Sequence, residues 1–318
     1  MTWNYSGARA IVSGGAGFIG SHLCEALIKL ESEVVCVDNY LTGRAANLNA
    51  LAGHKRFRIL EHDITSPFVS DGNAIFNLAS PASPVWYQRD PVQTMRVNIL
   101  GSLNLLELAR HNKARILQAS TSEVYGDPAI HPQHESYWGN VNPIGVRACY
   151  NEGKRGAETL FFDYWRMHRV AIKVARIFNT YGPRMLPDDG RVVSTFIVQA
   201  LRGEPITLFS DGGQTRSFAF VTDVVDALLR LQATSIDVTG PINIGNPDEV
   251  SMRELADRIL ALTGSRSKMT FLPLPPDDPR QRQPDIARAT STLGWVPATR
   301  LDDGLRQTID YFRSVFAA

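Results

Sequence analysis

Short apolar runs alternate with amphipathic segments over the first half of the chain. An apolar run at residues 8–13 is followed by a glycine-rich turn, by apolar positions at helical spacing over 21–30, and by a second apolar run at 33–37. The alternation continues through predicted strands at 57–60, 74–78, 114–119 and 172–175 and predicted helices at 90–112 and 150–168. Strands that alternate with helices predict an α/β fold with a doubly wound parallel sheet.

The glycine-rich turn joins the first predicted strand to the first predicted helix. It reads Gly-Gly-Ala-Gly-Phe-Ile-Gly over residues 14–20, and the second predicted strand ends in Asp38. Glycines at this spacing allow a tight turn and let backbone amides approach a pyrophosphate at the helix N-terminus. Asp38 is placed to accept hydrogen bonds from an adenosine ribose and would repel a 2′-phosphate. The unit predicts a Rossmann-type site for NAD rather than NADP.

The regular alternation ends after Arg176, where loops rich in glycine, proline and arginine follow. We expect residues 1–176 to form an NAD-binding Rossmann domain, to which 217–233 return. Residues 177–318 are predicted to form mainly a smaller C-terminal α/β domain that binds substrate. In this second part Thr222 is a predicted N-cap for a helix over 223–231.

Tyr150 and Lys154 are the strongest candidates for chemistry. They lie four residues apart, so they share one face of the predicted helix over 150–168. A phenol is a poor base at neutral pH, but an ammonium group beside it favours the phenolate and lowers its pKa. Tyr150 could then take a proton from a sugar hydroxyl while a nicotinamide takes the hydride. Ser122 follows the apolar run at 114–119, which places its hydroxyl at a strand end facing Tyr150.

Composition narrows the remaining possibilities. The 318 residues are 44% hydrophobic and carry a formal net charge of +1, which gives no signal for nucleic acid or membrane partners. Three unpaired cysteines argue against a disulfide framework and against a zinc site, so we expect no metal. No apolar run approaches the roughly 20 residues that span a bilayer, and no signal peptide is evident. We expect a cytoplasmic protein.

Several blocks together resemble the extended short-chain dehydrogenase/reductases that act on nucleotide sugars. Besides the glycine turn and the Tyr150–Lys154 spacing, they are Thr-Ser-Glu-Val-Tyr-Gly-Asp at 121–127 and Arg-Ile-Phe-Asn-Thr-Tyr-Gly-Pro at 176–183. The resemblance covers almost the whole chain. Glu123 and the block at 277–285 are similar to the UDP-glucuronate decarboxylase branch of that family. The chain departs from the branch at Asn77, Asn151 and Ser210, where histidine, aspartate and glycine are common.

The resemblance assigns roles to individual residues. It implies catalytic roles for Ser122, Glu123, Tyr150, Lys154 and Arg282. It implies that NAD contacts Gly14, Gly17, Phe18, Ile19, Gly20, Asp38, Asn39, Gly43, Asp63, Ile64, Leu78, Ala79, Tyr150 and Lys154. It implies that a UDP-sugar contacts Pro84, Tyr87, Ser122, Glu123, Asn179, Arg184, Arg191, Val192, Val193, Gln214, Arg216 and Arg282. It also implies a homodimer formed through the long helices over 90–112 and 150–168.

The expected activity is NAD-dependent conversion of UDP-glucuronate to UDP-xylose. It would proceed by oxidation at C4, loss of CO2 from the 4-keto acid and re-reduction, and Glu123 beside a substrate carboxylate suggests proton handling near C5. One alternative is a UDP-glucuronate 4-epimerase that gives UDP-galacturonate. Another is a non-catalytic dinucleotide-binding sensor, which the intact Ser122, Tyr150 and Lys154 disfavour. The sequence leaves open whether the carrier is UDP or a thymidine diphosphate.

Overall fold

The computed structural model describes residues 3–273 and 281–317. Its strands are β1 (Arg9–Ser13), β2 (Glu33–Asp38), β3 (Phe57–Glu61), β4 (Ala74–Asn77), β5 (Arg115–Thr121), β6 (Ala171–Ile177), β7 (Thr180–Tyr181), β8 (Ile206–Phe209), β9 (Thr215–Ser217), β10 (Ala219–Phe220), β11 (Ile242–Ile244), β12 (Glu249–Ser251), β13 (Met269–Leu272) and β14 (Gln281–Arg282). The block at 277–285 therefore lies partly outside the described residues, although Arg282 lies within them.

The helices carry the amphipathic segments. They are α1 (Phe18–Lys29), α2 (Pro84–Tyr87), α3 (Pro91–Arg96), α4 (Ser102–Asn112), α5 (Ala148–His168), α6 (Val192–Arg202), α7 (Val221–Ala233), α8 (Met252–Thr263), α9 (Ala287–Leu293) and α10 (Leu301–Ala317). A π-helical turn, Val97–Gly101, joins α3 to α4, so the predicted long helix over 90–112 is interrupted. Short 3₁₀ helices span Ala45–Leu51 and Ser122–Tyr125.

Seven of the described strands form one sheet in the order β11-β6-β5-β4-β1-β2-β3. Neighbouring strands all pair in parallel, as the alternation of strands and helices predicts. Strands β1, β2, β4 and β5 are almost fully buried because helices cover both faces of the sheet, whereas the edge strand β3 is largely exposed. The order reverses between β1 and β4, and ligands of open α/β sheets bind at such a reversal.

The second part of the chain contributes both to this sheet and to smaller ones. β11 pairs with β6 at the edge of the large sheet, and α7 packs against α1. β9 pairs with β12 and β14, which places Arg282 beside Arg216. The prediction that Thr222 caps a helix is wrong, because α7 begins at Val221, directly after β10, and its N-cap residue is Phe220. In the described part of the chain, no helix is both long and apolar enough to cross a membrane.

Candidate active site

A cavity of about 840 Å³ lies where the parallel strands end. Its floor is formed by the glycine turn, the end of β2, the loop after β4, the end of β5 and the start of α5. Its other side is formed by residues of the second part, including Arg184, Arg191, Arg216 and Arg282. The fold thus brings the predicted NAD residues and the predicted sugar-nucleotide residues around one cavity.

The glycine turn is shaped for a close backbone approach. A Cβ atom at Gly14 would lie 2.8 Å from the backbone nitrogen of Ala79, and one at Gly20 would lie 2.0 Å from the carbonyl oxygen of Gly14. Gly14 also has a φ of +71°, which disfavours other residues. Gly17 precedes α1 without a side chain to cap it, so the first amides of the helix remain for a diphosphate. This cradle fits the pyrophosphate of NAD.

Asp38 lies beside this turn at the end of β2. Its Oδ2 accepts a hydrogen bond from the Ala16 amide and its Oδ1 accepts one from the Tyr40 amide, both at 2.9 Å. Burial raises the pKa of Asp38, while these amide hydrogen bonds partly oppose the rise. Gly43 packs against Asp38, since a Cβ there would lie 2.8 Å from Oδ1. The carboxylate is therefore held in a fixed position beside the glycine turn.

A second acidic residue lies at the same end of the cavity. Asn39 donates a hydrogen bond to Asp63 at 3.0 Å, and Asp63 accepts another from the Thr65 amide at 2.9 Å. Both Asn39 and Asp63 line the cavity, as does Ile64. The predicted adenosine end of the NAD site is thus assembled from β2 and the segment that follows β3.

Tyr150 and Lys154 are buried on one face of α5, as their spacing predicts. Lys154 Nζ donates to the Ala119 carbonyl at 2.9 Å and lies 5.8 Å from the centroid of the Tyr150 ring. Burial lowers the pKa of Lys154 to about 7 and raises the pKa of Tyr150 to about 12. The expectation that the ammonium would lower the pKa of Tyr150 is not met in this structure, because burial is the larger effect.

The hydroxyl that meets Tyr150 is that of Thr121. The Thr121 side chain favours the phenolate and partly offsets the effect of burial on the pKa of Tyr150. Thr121 Oγ1 also accepts a hydrogen bond from the Glu123 amide at 3.2 Å and so begins the 3₁₀ turn. Ser122 is buried in that turn and lines the same cavity. The sequence reasoning named Ser122 and missed Thr121, which is the last residue of β5.

Glu123 lies between two arginines that line the same cavity. Arg147 Nη2 is 2.7 Å from Glu123 Oε1, and Arg282 Nη1 is 3.0 Å from the same oxygen. Arg282 Nη1 is also 3.5 Å from Asn179 Oδ1. Burial by itself would raise the pKa of Glu123, but Arg282 and Arg147 outweigh it and hold the pKa below its usual value. Glu123 is therefore a carboxylate at neutral pH, and Arg147 is a site residue that the sequence reasoning did not single out.

Two other arginines that line the cavity form ion pairs with carboxylates of the chain. Arg184 forms an ion pair with Glu25 of α1, and Arg191 forms one with Asp189. The guanidinium of Arg191 also lies 5.7 Å from the centroid of the Phe18 ring, next to the glycine turn. Both arginines thus line the cavity and are held there by these ion pairs.

Most of the predicted binding residues line this one cavity. The exceptions are Gly43, which packs against Asp38, and Tyr87, which is buried against the ring of Tyr150. The lining includes Gly14, Gly17, Phe18, Ile19, Gly20, Leu78, Ala79, Pro84, Asn179, Val192, Val193 and Gln214. Their convergence reflects the fold, because they come from segments far apart in the sequence.

Known proteins resemble this chain over nearly its whole length. Residues 10–245 match the NAD dependent epimerase/dehydratase family. The chain belongs to this family. It is 56% identical over 309 residues to UDP-glucuronic acid decarboxylase 5 of Arabidopsis thaliana, covering 97% of this chain and 90% of that protein. It is 50% identical over 304 residues to UDP-glucuronic acid decarboxylase 1 of Danio rerio, covering 96% of this chain and 72% of that protein.

Solved structures of epimerases share the fold. The UDP-glucuronic acid 4-epimerase of Bacillus cereus, in complex with UDP-glucuronic acid and NAD, has a TM-score of 0.87 at 29% identity, over 96% of this chain and 99% of that chain. The UDP-glucose 4-epimerase of Thermotoga maritima with UDP-glucose has a TM-score of 0.86 at 29% identity, over 97% and 99%. The predicted family resemblance and the predicted α/β class are confirmed.

One departure from the decarboxylase branch is accommodated inside this epimerase/dehydratase fold. Asn77 ends β4 and is buried. Its Oδ1 accepts from the Ser13 hydroxyl at 2.9 Å, and its Nδ2 donates to Gln118 Oε1 at 2.7 Å and to the Ser102 hydroxyl at 3.2 Å. The asparagine thus joins β1, β5 and α4 beneath the site.

Proposed function

We propose that this protein is a UDP-glucuronate decarboxylase that forms UDP-xylose. The observation that carries the proposal is the Glu123–Arg282 ion pair, at 3.0 Å, in the cavity that also holds Tyr150 and Lys154. The resemblance to the decarboxylase branch rests on Glu123 and on the block at 277–285, which contains Arg282. The identity of 50–56% to proteins with that name, over nearly the full chain, supports the same enzyme class.

Different residues along the cavity would bind the cofactor and the substrate. The chemistry that NAD supplies when bound is reversible oxidation at C4 of the sugar, with no net redox change over a turnover. The glycine turn and Asp38 would hold its pyrophosphate and ribose. Arg184, Arg191 and Arg216 line the region where the nucleoside diphosphate of the substrate would lie.

Tyr150 is the general base in this proposal. As the phenolate, it accepts the proton of the C4 hydroxyl and becomes a neutral phenol, and the Thr121 side chain stabilises the phenolate before that transfer. The resulting 4-keto acid is a β-keto acid, which loses CO2 because the charge delocalises onto the C4 oxygen. The protonated Tyr150, together with Ser122 of the same cavity, then stabilises that enolate. Arg282 holds the sugar ring in place through the keto stage.

Mass analysis of the product tests the proposal directly. The purified protein, supplied with UDP-glucuronate and a catalytic amount of NAD, should release CO2 and a UDP-pentose. A product of unchanged mass with inverted C4 would instead identify a UDP-glucuronate 4-epimerase. No product at all, with NAD bound, would favour the non-catalytic sensor.

We also propose that the protein is a homodimer. The faces of α3, the π turn and α5 expose apolar side chains, among them Val92, Leu100 and Met167, and a second copy would cover them. Sedimentation of the purified protein would measure its mass in solution, and a monomer at micromolar concentration would contradict the proposal. The cytoplasmic location and the boundaries of the two domains stay predictions from the sequence.

A further inference from the structure

The two oxygens of the Glu123 carboxylate have different surroundings. Both arginines form ion pairs with Oε1: Arg147 Nη2 lies 2.7 Å from it, and Arg282 Nη1 lies 3.0 Å from it. Oε2 is buried and has no hydrogen-bond partner within residues 3–273 and 281–317. The same holds for Arg282 Nη2. A buried acceptor and a buried donor without partners, on two side chains that pair through their other atoms and line one cavity, mark a place where a polar ligand completes the contacts.

Arg147 connects this carboxylate to the catalytic helix. It is the residue before α5, and its carbonyl oxygen accepts a hydrogen bond from the Tyr150 amide at 3.1 Å. Its side chain reaches in the other direction, to Glu123 in the 3₁₀ turn that follows β5. One residue therefore sets the start of the helix that carries Tyr150 and the orientation of the carboxylate at the sugar end.

The charges explain how Glu123 can face an anionic sugar. A lone buried carboxylate would take up a proton and would repel a second carboxylate. Two guanidinium groups on Oε1 keep Glu123 ionised and compensate its charge, so that Oε2 can accept a hydrogen bond from a hydroxyl of the hexuronate. A carboxylate held in this way can accept a hydrogen bond but has no proton to give.

We infer that Arg147 is a positioning residue, which fixes Glu123 as a carboxylate and aims its Oε2 at a hydroxyl of the sugar. The inference rests on the proposed function, since it takes a hexuronate as the substrate. Among residues 3–273 and 281–317, the other titratable groups that face Glu123 are the phenols of Tyr87 and Tyr150, and burial raises the pKa of each. Both phenols stay neutral on the acid side of neutrality. Lys154, with a pKa of about 7, titrates in the wild-type protein and in the Arg147 variants alike, so a difference between their pH profiles reports Glu123.

The pH dependence of kcat/KM separates positioning from a general structural role. In Arg147→Gln, only Arg282 still opposes the rise in the pKa of Glu123 that burial causes, so this pKa should be higher than in the wild-type protein. In Arg147→Gln, kcat/KM for UDP-glucuronate should fall roughly ten-fold at neutral pH, the size expected for one charged hydrogen bond. The fall should deepen toward acid pH, because the acid limb moves to higher pH. Arg147→Lys keeps the charge and should keep the limb near its wild-type position.

A double-variant cycle decides whether Arg147 acts through Glu123. If it does, adding Arg147→Gln to the Glu123→Gln variant should lower kcat/KM only slightly. Neither the Glu123→Gln variant nor the double variant should show the shifted acid limb of the pH profile. An equal loss of kcat/KM in both backgrounds, or a loss in Arg147→Gln that is uniform with pH, would overturn the inference. Arg258→Gln is the matched control, because Arg258 pairs with Asp302 at 2.8 Å and Glu254 at 2.7 Å outside the cavity.

Binding measurements keep this test independent of the reaction outcome. Calorimetric titration of UDP-glucuronate into NAD-loaded Tyr150→Phe, with and without Arg147→Gln, reports the same contact without turnover. The second substitution should weaken binding, and more so at acid pH. If the wild-type product proves to be an epimer, the proposed function fails, but the pH dependence of UDP-glucuronate binding still tests the positioning role of Arg147. If the product is a pentose and the titration shows no pH-dependent loss, only the role of Arg147 fails.

Discussion

The ring of Tyr150 lies parallel to the ring of Tyr87, with 5.1 Å between the centroids and 2° between the planes. Tyr87 is buried, and its hydroxyl has no hydrogen-bond partner in the part of the chain that the structure describes. The resemblance implied a substrate contact for Tyr87. The geometry adds a supporting role, in which the flat face of Tyr87 fixes the plane of the catalytic phenol.

Substitutions at Tyr87 should separate its ring from its hydroxyl. Tyr87→Phe keeps the stacked ring and should leave the free energy of unfolding nearly unchanged, since it removes an unmet polar group. Tyr87→Ala should lower the free energy of unfolding by about 3–5 kcal/mol, as large aromatic truncations in cores do, and should lower kcat as well. Urea unfolding and steady-state kinetics check both. Wild-type kcat in Tyr87→Ala would contradict the supporting role.

Tyr150 itself should be needed for turnover and dispensable for binding. Tyr150→Phe keeps the ring against Tyr87 and loses only the hydroxyl, so NAD and UDP-glucuronate should still bind while turnover is lost. Calorimetry and product analysis measure the two effects separately. Near wild-type rates in this variant would mean that another group is the base.

The burial of Lys154 should appear in the pH dependence of stability without NAD. Its pKa is lowered from 10.5 to about 7 in the folded protein, so the unfolded chain binds more protons between these values. Through this group, the free energy of unfolding rises with pH over that interval, by at most ~1.4 kcal/mol per pH unit. Lys154→Met should flatten this rise in urea unfolding, whereas Lys55→Met, at an exposed site, should not. An unchanged slope in Lys154→Met would show that Lys154 is not buried as described.

Asp38 should make the protein prefer NAD over NADP. Its carboxylate is fixed by the Ala16 and Tyr40 amides at the end of β2, where a 2′-phosphate would be repelled. Calorimetry should show clearly weaker binding of NADP than of NAD. In Asp38→Asn, the affinities for the two cofactors should differ less. Equal binding of both cofactors by the wild-type protein would contradict the placement of Asp38 on the ribose.

Patterns that are local in the sequence predicted their structures well. The strand, glycine turn, helix and acid from 8 to 38 form as expected, because each step depends on neighbouring residues. The Tyr150–Lys154 face follows from helical periodicity alone. The capping role of Thr222 failed because the chain passes from β10 straight into α7.

Long-range contacts were beyond such patterns. The Arg147–Glu123 contact joins a loop to a 3₁₀ turn 24 residues earlier, and no periodicity connects the two. Whether Thr121 or Ser122 meets Tyr150 depends on where β5 gives way to that turn. The pKa of Tyr150 depends on burial, which only the folded structure defines.

Arg282 should matter more for the sugar than for NAD. Arg282→Gln loses the ion pair to Glu123 and a charged donor in the cavity, which costs about 1.5–3 kcal/mol, or roughly ten- to a hundred-fold. The variant should bind UDP-glucuronate more weakly, decarboxylate it slowly and release some 4-keto product with NADH, while its affinity for NAD stays unchanged. Calorimetry and product chromatography test this. An unaltered kcat/KM in Arg282→Gln would show that Arg282 has no role in the reaction.

The most direct measurement follows the carboxyl carbon of the substrate. UDP-glucuronate labelled at C6 is incubated with the wild-type protein and an amount of NAD far below that of the substrate. The decarboxylase account predicts that the label leaves as CO2 in proportion to the UDP-pentose formed, over many turnovers for each NAD. Label that stays in a nucleotide sugar of unchanged mass would contradict it.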